Sequence, residues 1–127
     1  GYYEWQTPPE GSGLRKQPFY IHPEHAPYFA MAGVCDHWVD KASGELVMST
    51  AIVTTAPCPK LTEVHDRMPV MIPQDQWATW LDPKNQDVTM LRQLIVSNDD
   101  VRFYAVGFGV SGVGKNRLDA KELIEPK

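Results

Sequence analysis

The chain has 127 residues, 12 Lys+Arg against 16 Asp+Glu, a formal net charge of −4 and 43% hydrophobic residues. That length and apolar content suit one domain with an ordinary core and exclude a disordered chain, and no apolar run nears the roughly 18–20 residues of a membrane-spanning helix. The polar, proline-containing start GYYEWQTPPE does not read as a signal peptide, and the acidic balance argues against a surface coated with basic residues for duplex DNA while leaving room for a local basic patch.

Tyr2 to Trp5 and Gln17 to His22 are short β-prone runs rich in aromatics, and TPPEGSGLRK between them is strong turn chemistry. The two runs predict a β-hairpin with a long exposed loop. Tyr28 to Trp38 reads as a mostly buried strand and Glu45 to Thr55, dense in β-branched residues, as another, with KASGE as the turn between them. Pro57 to Pro69 predicts a helical turn leading into a loop. Gln74 to Leu81 places Trp77 and Leu81 at i, i+4 behind Pro73, the pattern of a short helix. Val88 to Val96 repeats that period, with Asp87 as its N-cap. Val101 to Val106 alternates as a strand, GFGVSGVGKN is a glycine-rich loop, and ELIEP predicts a short closing strand. The order is strands, two small helices, then strands: α+β, or a β-barrel-like sheet with helical inserts.

Two cysteines, Cys35 and Cys58, are too few for a disulfide scaffold and read as buried or loop thiols in a reducing cytosol. Gly107 to Gly112 satisfies G-x-G-x-x-G, and Gly109 to Asn116 comes one residue from a phosphate-binding P-loop. Too little chain follows for the βα units and the acidic ribose ligand that those motifs need, so a surface loop is the better reading. His22, His25, Cys35 and His37 could supply four zinc ligands, but their spacing matches no finger. Glu4 is a carboxylate within the aromatic run YYEW, where burial would raise its pKa and suit it to proton transfer. His65 opens HDRMP, which sets an imidazole beside a carboxylate that could orient it and a guanidinium, Arg67, that could hold a phosphate bidentately.

GYYEW, KQPFYI, the GVCDHW run, AIVTT, VHDRMPVMIP followed by WATWLDP, and ELIEP occur in that order along the whole chain. On those motifs the sequence resembles the SOS response-associated peptidase (SRAP) family of abasic-site processing proteins. The resemblance implies an SRAP-like α+β fold, a curved, mostly antiparallel β-sheet or barrel with short helices. It also implies covalent capture of abasic sites in single-stranded DNA. In this family an N-terminal cysteine, exposed by autocatalytic loss of the initiator Met, traps the ring-opened sugar aldehyde through a Schiff base as a thiazolidine. By motif match Glu4 is the glutamate beside the amine, His65 the histidine near the sugar, and Arg67 a phosphate ligand. Thr54 matches a threonine near the site, and Trp5 offers an aromatic surface to a flanking base. The resemblance further implies no cofactor, a monomer, and a cytoplasmic or nucleoid location.

The chain departs from the pattern at its start. Residue 1 is Gly and residue 2 is Tyr, neither Cys35 nor Cys58 carries a free α-amine, and the family's asparagine-containing element is absent. The expectation is therefore one SRAP-like domain over residues 1–127, lacking its N-terminal segment and forming no thiazolidine by itself. The competing reading is a non-covalent single-strand-binding module that uses Tyr2, Tyr3, Trp5 and Arg67. An enzyme built on the glycine loop is a distant third. Arg15, Lys16, Lys115 and Arg117 read as ordinary solvated surface.

Overall fold

The structure, a computed structural model, describes residues 1–112 and 121–127. In chain order the strands are β1 (Tyr2–Gln6), β2 (Gln17–Pro23), β3 (Ala30–Met31), β4 (Gly33–Val39), β5 (Leu46–Ile52), β6 (Thr54–Thr55), β7 (Met68–Pro69), β8 (Met71–Ile72) and β9 (Val101–Ala105). The helices are α1 (Trp77–Leu81) and α2 (Val88–Gln93), with 3-10 turns at Pro59–Leu61, Gln74–Gln76, Phe108–Gly112 and Lys121–Ile124. Antiparallel strands with short helices make this an α+β fold. Among the described residues no helix is long and apolar enough to cross a membrane. The chain divides into two compact units.

The first unit comprises Gly1–Tyr28, Pro57–Asp66 and Asp99–Lys127. Its sheet runs β1-β2-β9, all antiparallel, with β1 at an edge. Because side chains alternate across a strand, Tyr2, Glu4 and Gln6 leave one face of β1 and Tyr3 and Trp5 the other. Ile21 of β2 and Val101 of β9 are buried, as are Cys58, Leu61 and Val64 of the segment that begins with the first 3-10 turn. The Gln6 amide donates to the Glu63 carbonyl at 2.9 Å, tying the end of β1 to that segment. The predicted closing strand ELIEP is instead the Lys121–Ile124 turn, followed by a single bridge from Pro126 to Val106 among the described residues. Pro126 has no N–H to extend a ladder. The glycine-rich stretch begins not as an open loop but as the Phe108–Gly112 turn directly after β9.

The second unit comprises Phe29–Ala56 and Arg67–Asn98. Both long strands predicted here are broken. The first changes partner at Ala32, from β8 to β5, and the second is interrupted at Val53. Ala32 N–H donates to Val70 O, Val53 N–H to Ala32 O, and Val70 N–H to Val53 O, at 2.8, 2.9 and 2.9 Å. These three residues link the three strand pairs, and Ala32 and Val70 with Ile72 form the core, against which Val53, Trp77, Trp80, Leu94 and Ile95 pack. The Trp77 indole donates to Ile72 O at 2.8 Å and the Trp80 indole to Gly33 O at 3.2 Å. The helix therefore packs Trp77 and Trp80, at i, i+3. Leu81, predicted to share the buried face, is exposed. Asp87 caps α2 as predicted, accepting from Met90 N–H at 2.9 Å.

The β4–β5 hairpin is exposed along every residue from Val34 to Ile52 except Asp40, which corrects the expectation of a buried strand through Cys35. Its turn is closed by Asp40, whose carboxylate accepts from Ala42 N–H and Ser43 Oγ. Those hydrogen bonds hold its pKa below the ordinary aspartate value. Gly44, at φ +76, completes the turn in a conformation that side chains disfavour.

Candidate functional site

Glu4 and His65 meet in the first unit. Glu4 projects from β1 toward the segment that carries His65, and Glu4 Oε2 lies 3.7 Å from His65 Nε2. The other ring nitrogen, Nδ1, is 3.1 Å from Asp66 Oδ1. The imidazole thus stands between two carboxylates, one exposed and one half-buried. Leu61 and Val64 anchor this segment in the core, and His65 N–H donates to Leu61 O at 3.1 Å, so the ring hangs from a short helical turn with a buried base. Burial raises the Glu4 pKa above the ordinary glutamate value, against the opposing pull of His65 and of a backbone hydrogen bond from Trp5. The result is a carboxyl–imidazole pair in which the carboxyl group is partly desolvated.

Tyr2 belongs to the same neighbourhood. It shares the Glu4 face of β1 by simple alternation, and burial, reinforced by Glu4 and then Cys58, raises its hydroxyl pKa well above the ordinary tyrosine value. Tyr2 was singled out from sequence only as part of an aromatic strand. The period-2 pattern already placed it beside Glu4.

Trp5 leaves β1 on the opposite face. There it lies 6.4 Å from Tyr3, which is 5.5 Å from Tyr20, which is 5.8 Å from Tyr104, a row of rings across all three strands. Glu4 and Trp5 thus project from opposite faces of β1, which is an edge strand among the described residues.

Thr54 and Arg67 meet in the second unit. Arg67 Nε donates to Thr54 Oγ1 at 2.8 Å and Nη2 to Thr54 O at 2.7 Å. The pairing of β6 with β7 sets Thr54 opposite Pro69, and Arg67, two positions before Pro69, reaches Thr54 diagonally across the strands. Thr54 is thus a holder of the guanidinium. A β-branched residue thirteen positions upstream of an arginine carries no signal of that kind in the sequence.

The other candidates are engaged elsewhere. His22 Nδ1 donates to Pro23 O at 2.8 Å, and His25 Nδ1 lies 2.6 Å from Asp100 Oδ1. Cys35 and His37 share one exposed face of β4. Glu24, His25 and Asp100 bring ligating atoms within 4.8 Å of one another, but Glu24 already pairs with Lys60 and Arg102, each at 3.0 Å. Those two hydrogen bonds hold the Glu24 pKa below its ordinary value. Lys115 and Arg117 lie outside the described residues, as does Val113 to Asn116 of the P-loop-like stretch.

Comparison with known proteins bears on this arrangement. A profile described as SOS response associated peptidase (SRAP) matches residues 1–113. The chain is 32% identical over 126 residues to the abasic site processing protein YoqW of Bacillus subtilis, covering 98% of this chain and 53% of that protein. It is 26% identical over 151 residues to the abasic site processing protein HMCES of Pongo abelii, covering 99% and 41%. A crystal structure of a protein from Bacteroides thetaiotaomicron superposes with a TM-score of 0.83 at 26% identity, over 100% of this chain and 53% of that one. The chain spans about half the length of the curated relatives it matches.

Proposed function

The chain belongs to the SOS response-associated peptidase (SRAP) family, and from that premise we propose that the full-length protein captures abasic sites in single-stranded DNA as a covalent thiazolidine. The single observation that carries the reading is the approach of a partly buried Glu4 carboxyl to within 3.7 Å of the His65 imidazole.

In the proposed reaction, the α-amine of an N-terminal cysteine attacks the aldehyde carbon of the ring-opened abasic sugar. The amine must be neutral to attack, and Glu4 takes its proton. His65 donates a proton to the sugar ring oxygen as the ring opens. The carbinolamine loses one water to give the imine. The thiol sulfur then adds to the imine carbon and its proton passes to nitrogen, so that one C–N and one C–S bond are formed, one water leaves, and nothing is oxidised or reduced. Arg67, held by Thr54, binds a backbone phosphate. Trp5 stacks on a base flanking the lesion. The amine-activating chemistry would also serve autocatalytic release of an initiator Met. The proposed setting is cytoplasmic and monomeric.

The row of rings from Trp5 to Tyr104 favours the rival reading, a stacking surface for reversible single-strand binding. One experiment separates the two. The full-length protein is incubated with a single-stranded oligonucleotide carrying one abasic site and run on a denaturing gel. An SDS-resistant adduct is expected, formed on the order of 10²–10⁴-fold more slowly by Glu4→Gln. Reversible binding without any adduct overturns the covalent reading in favour of the binding module.

A further inference from the structure

The loop between β1 and β2, Thr7 to Lys16, forms one wall of a groove of about 830 Å³ within the first unit, and Phe108 forms part of the other. That volume is in the range of ordinary ligand sites. Pro8, Pro9 and Leu14 give it an apolar wall, with Leu14 70% exposed. The loop is shaped locally: Ser12 N–H donates to Pro9 O at 3.2 Å, Ser12 Oγ accepts from Leu14 N–H at 3.3 Å, and Gly13 takes φ +68.

Arg15, read from sequence as ordinary solvated surface, is held in place. Its guanidinium carbon lies 4.7 Å from the centroid of the Phe108 ring, and Lys127 Nζ lies 4.6 Å from the same centroid. Gln17 fixes the second cation, accepting from Lys127 Nζ at 3.3 Å while its own amide donates to Val106 O and Pro18 O at 2.9 Å. Among the described residues no carboxylate pairs with Arg15. A guanidinium over an aromatic face keeps its in-plane N–H fork for a planar or tetrahedral anion. The Arg15 guanidinium, followed in the chain by Lys16, therefore lines one side of an apolar groove, with Lys127 against the same Phe108 ring, in a protein whose net charge is −4. Gln6, which borders the groove, lies two residues along β1 from Glu4 and on the same face, a separation of about 7 Å.

We infer that this groove binds the sugar-phosphate and base of a nucleotide flanking the lesion, with Arg15 on phosphate and the Pro8–Pro9–Leu14 wall against the base. The inference rests on the reading of the ligand as a DNA strand. A nucleic-acid strand is the occupant that uses both halves of the groove, because it presents a regular phosphate and a flat apolar face together. An acidic peptide would use the cations alone.

The test is fluorescence anisotropy of the full-length protein with a labelled, lesion-free single strand of ~12 nucleotides across a salt series. Arg15→Gln is expected to weaken binding about tenfold and to flatten the slope of log affinity against log salt by about 0.7, the loss of one phosphate contact. Phe108→Leu keeps both charges and is expected to weaken binding by a smaller factor, because the cations lose the ring that orders them. Wild-type affinity and slope in both variants overturns the groove, as does equal binding of, and equal loss for, a Glu-rich peptide. The outcome is independent of covalent capture. A wild-type protein that forms no adduct but loses strand binding through Arg15 supports the groove and overturns the covalent reading. A wild type that forms the adduct, with Arg15→Gln binding unchanged, does the reverse.

Discussion

The β1-β2-β9 sheet and the β4–β5 hairpin are built from similar material, aromatic and β-branched residues around a turn, and they end in opposite environments. In the sheet, β2 alternates enough to bury Ile21 at 1% exposure and to turn Glu4, on its neighbour, toward a segment with its own buried residues. In the hairpin, Ile52 is 53% exposed and Met48 69%. Strand-forming composition is thus a statement about local backbone preference, and the buried area that stabilises a strand depends on what packs against it. The chemically reactive side chains follow the same division. Glu4 acquires a raised pKa because its face is covered, whereas Cys35 on the hairpin stays in solvent.

The largest test of that contrast replaces the same residue in each region. Ile21→Ala should cost about 2–5 kcal/mol of stability, and Ile52→Ala no more than about 0.5 kcal/mol, read from urea unfolding midpoints. Equal losses would break the comparison. The two thiols offer a second probe. Cys35 should react with an aromatic disulfide reagent as a free thiol does, and Cys58, 1% exposed, on the order of 100-fold more slowly because it must wait for local opening.

Asp87→Ala removes the α2 cap and should cost about 1 kcal/mol in thermal or urea unfolding, an effect confined to local helix geometry and therefore between the two extremes. The smallest expected effect is at Glu4. Its folded-state pKa lies above the unfolded value, so its favourable contribution is fully present below the ordinary glutamate range and is lost as pH rises through the raised value. Glu4→Gln should remove that loss. Its unfolding midpoint should match or exceed the wild type at neutral pH, and the difference should vanish in acid. A variant that is less stable at neutral pH would show that the charged carboxylate stabilises the fold.

The pattern of legibility follows range. The β-prone aromatic run YYEW, the alternation in VRFYA, the turn chemistry of TPPEGSGLRK and the Asp87 cap are all legible, because each depends on neighbours within a few residues. The breaks at Ala32 and Val53 are not. Each lies within a run that looks continuous, and only the backbone hydrogen bonds among Ala32, Val53 and Val70 decide where one strand stops and the next begins. ELIEP misled for a related reason: its apolar residues suit a strand, but Pro126 cannot continue a ladder.

At the candidate site the sequence by itself determined the chemical types, a carboxylate in an aromatic strand and an imidazole followed by Asp and Arg, and the motif order that marks the family. Tertiary structure decided their relations. It brought Glu4 to His65 across 61 positions of chain, turned Thr54 into the acceptor that holds Arg67, sent Trp5 to the face opposite Glu4, and set Arg15 over Phe108. Such pairings join residues far apart in sequence through the packing of whole elements, and no local propensity encodes the distance between two side chains that meet only after the chain has folded.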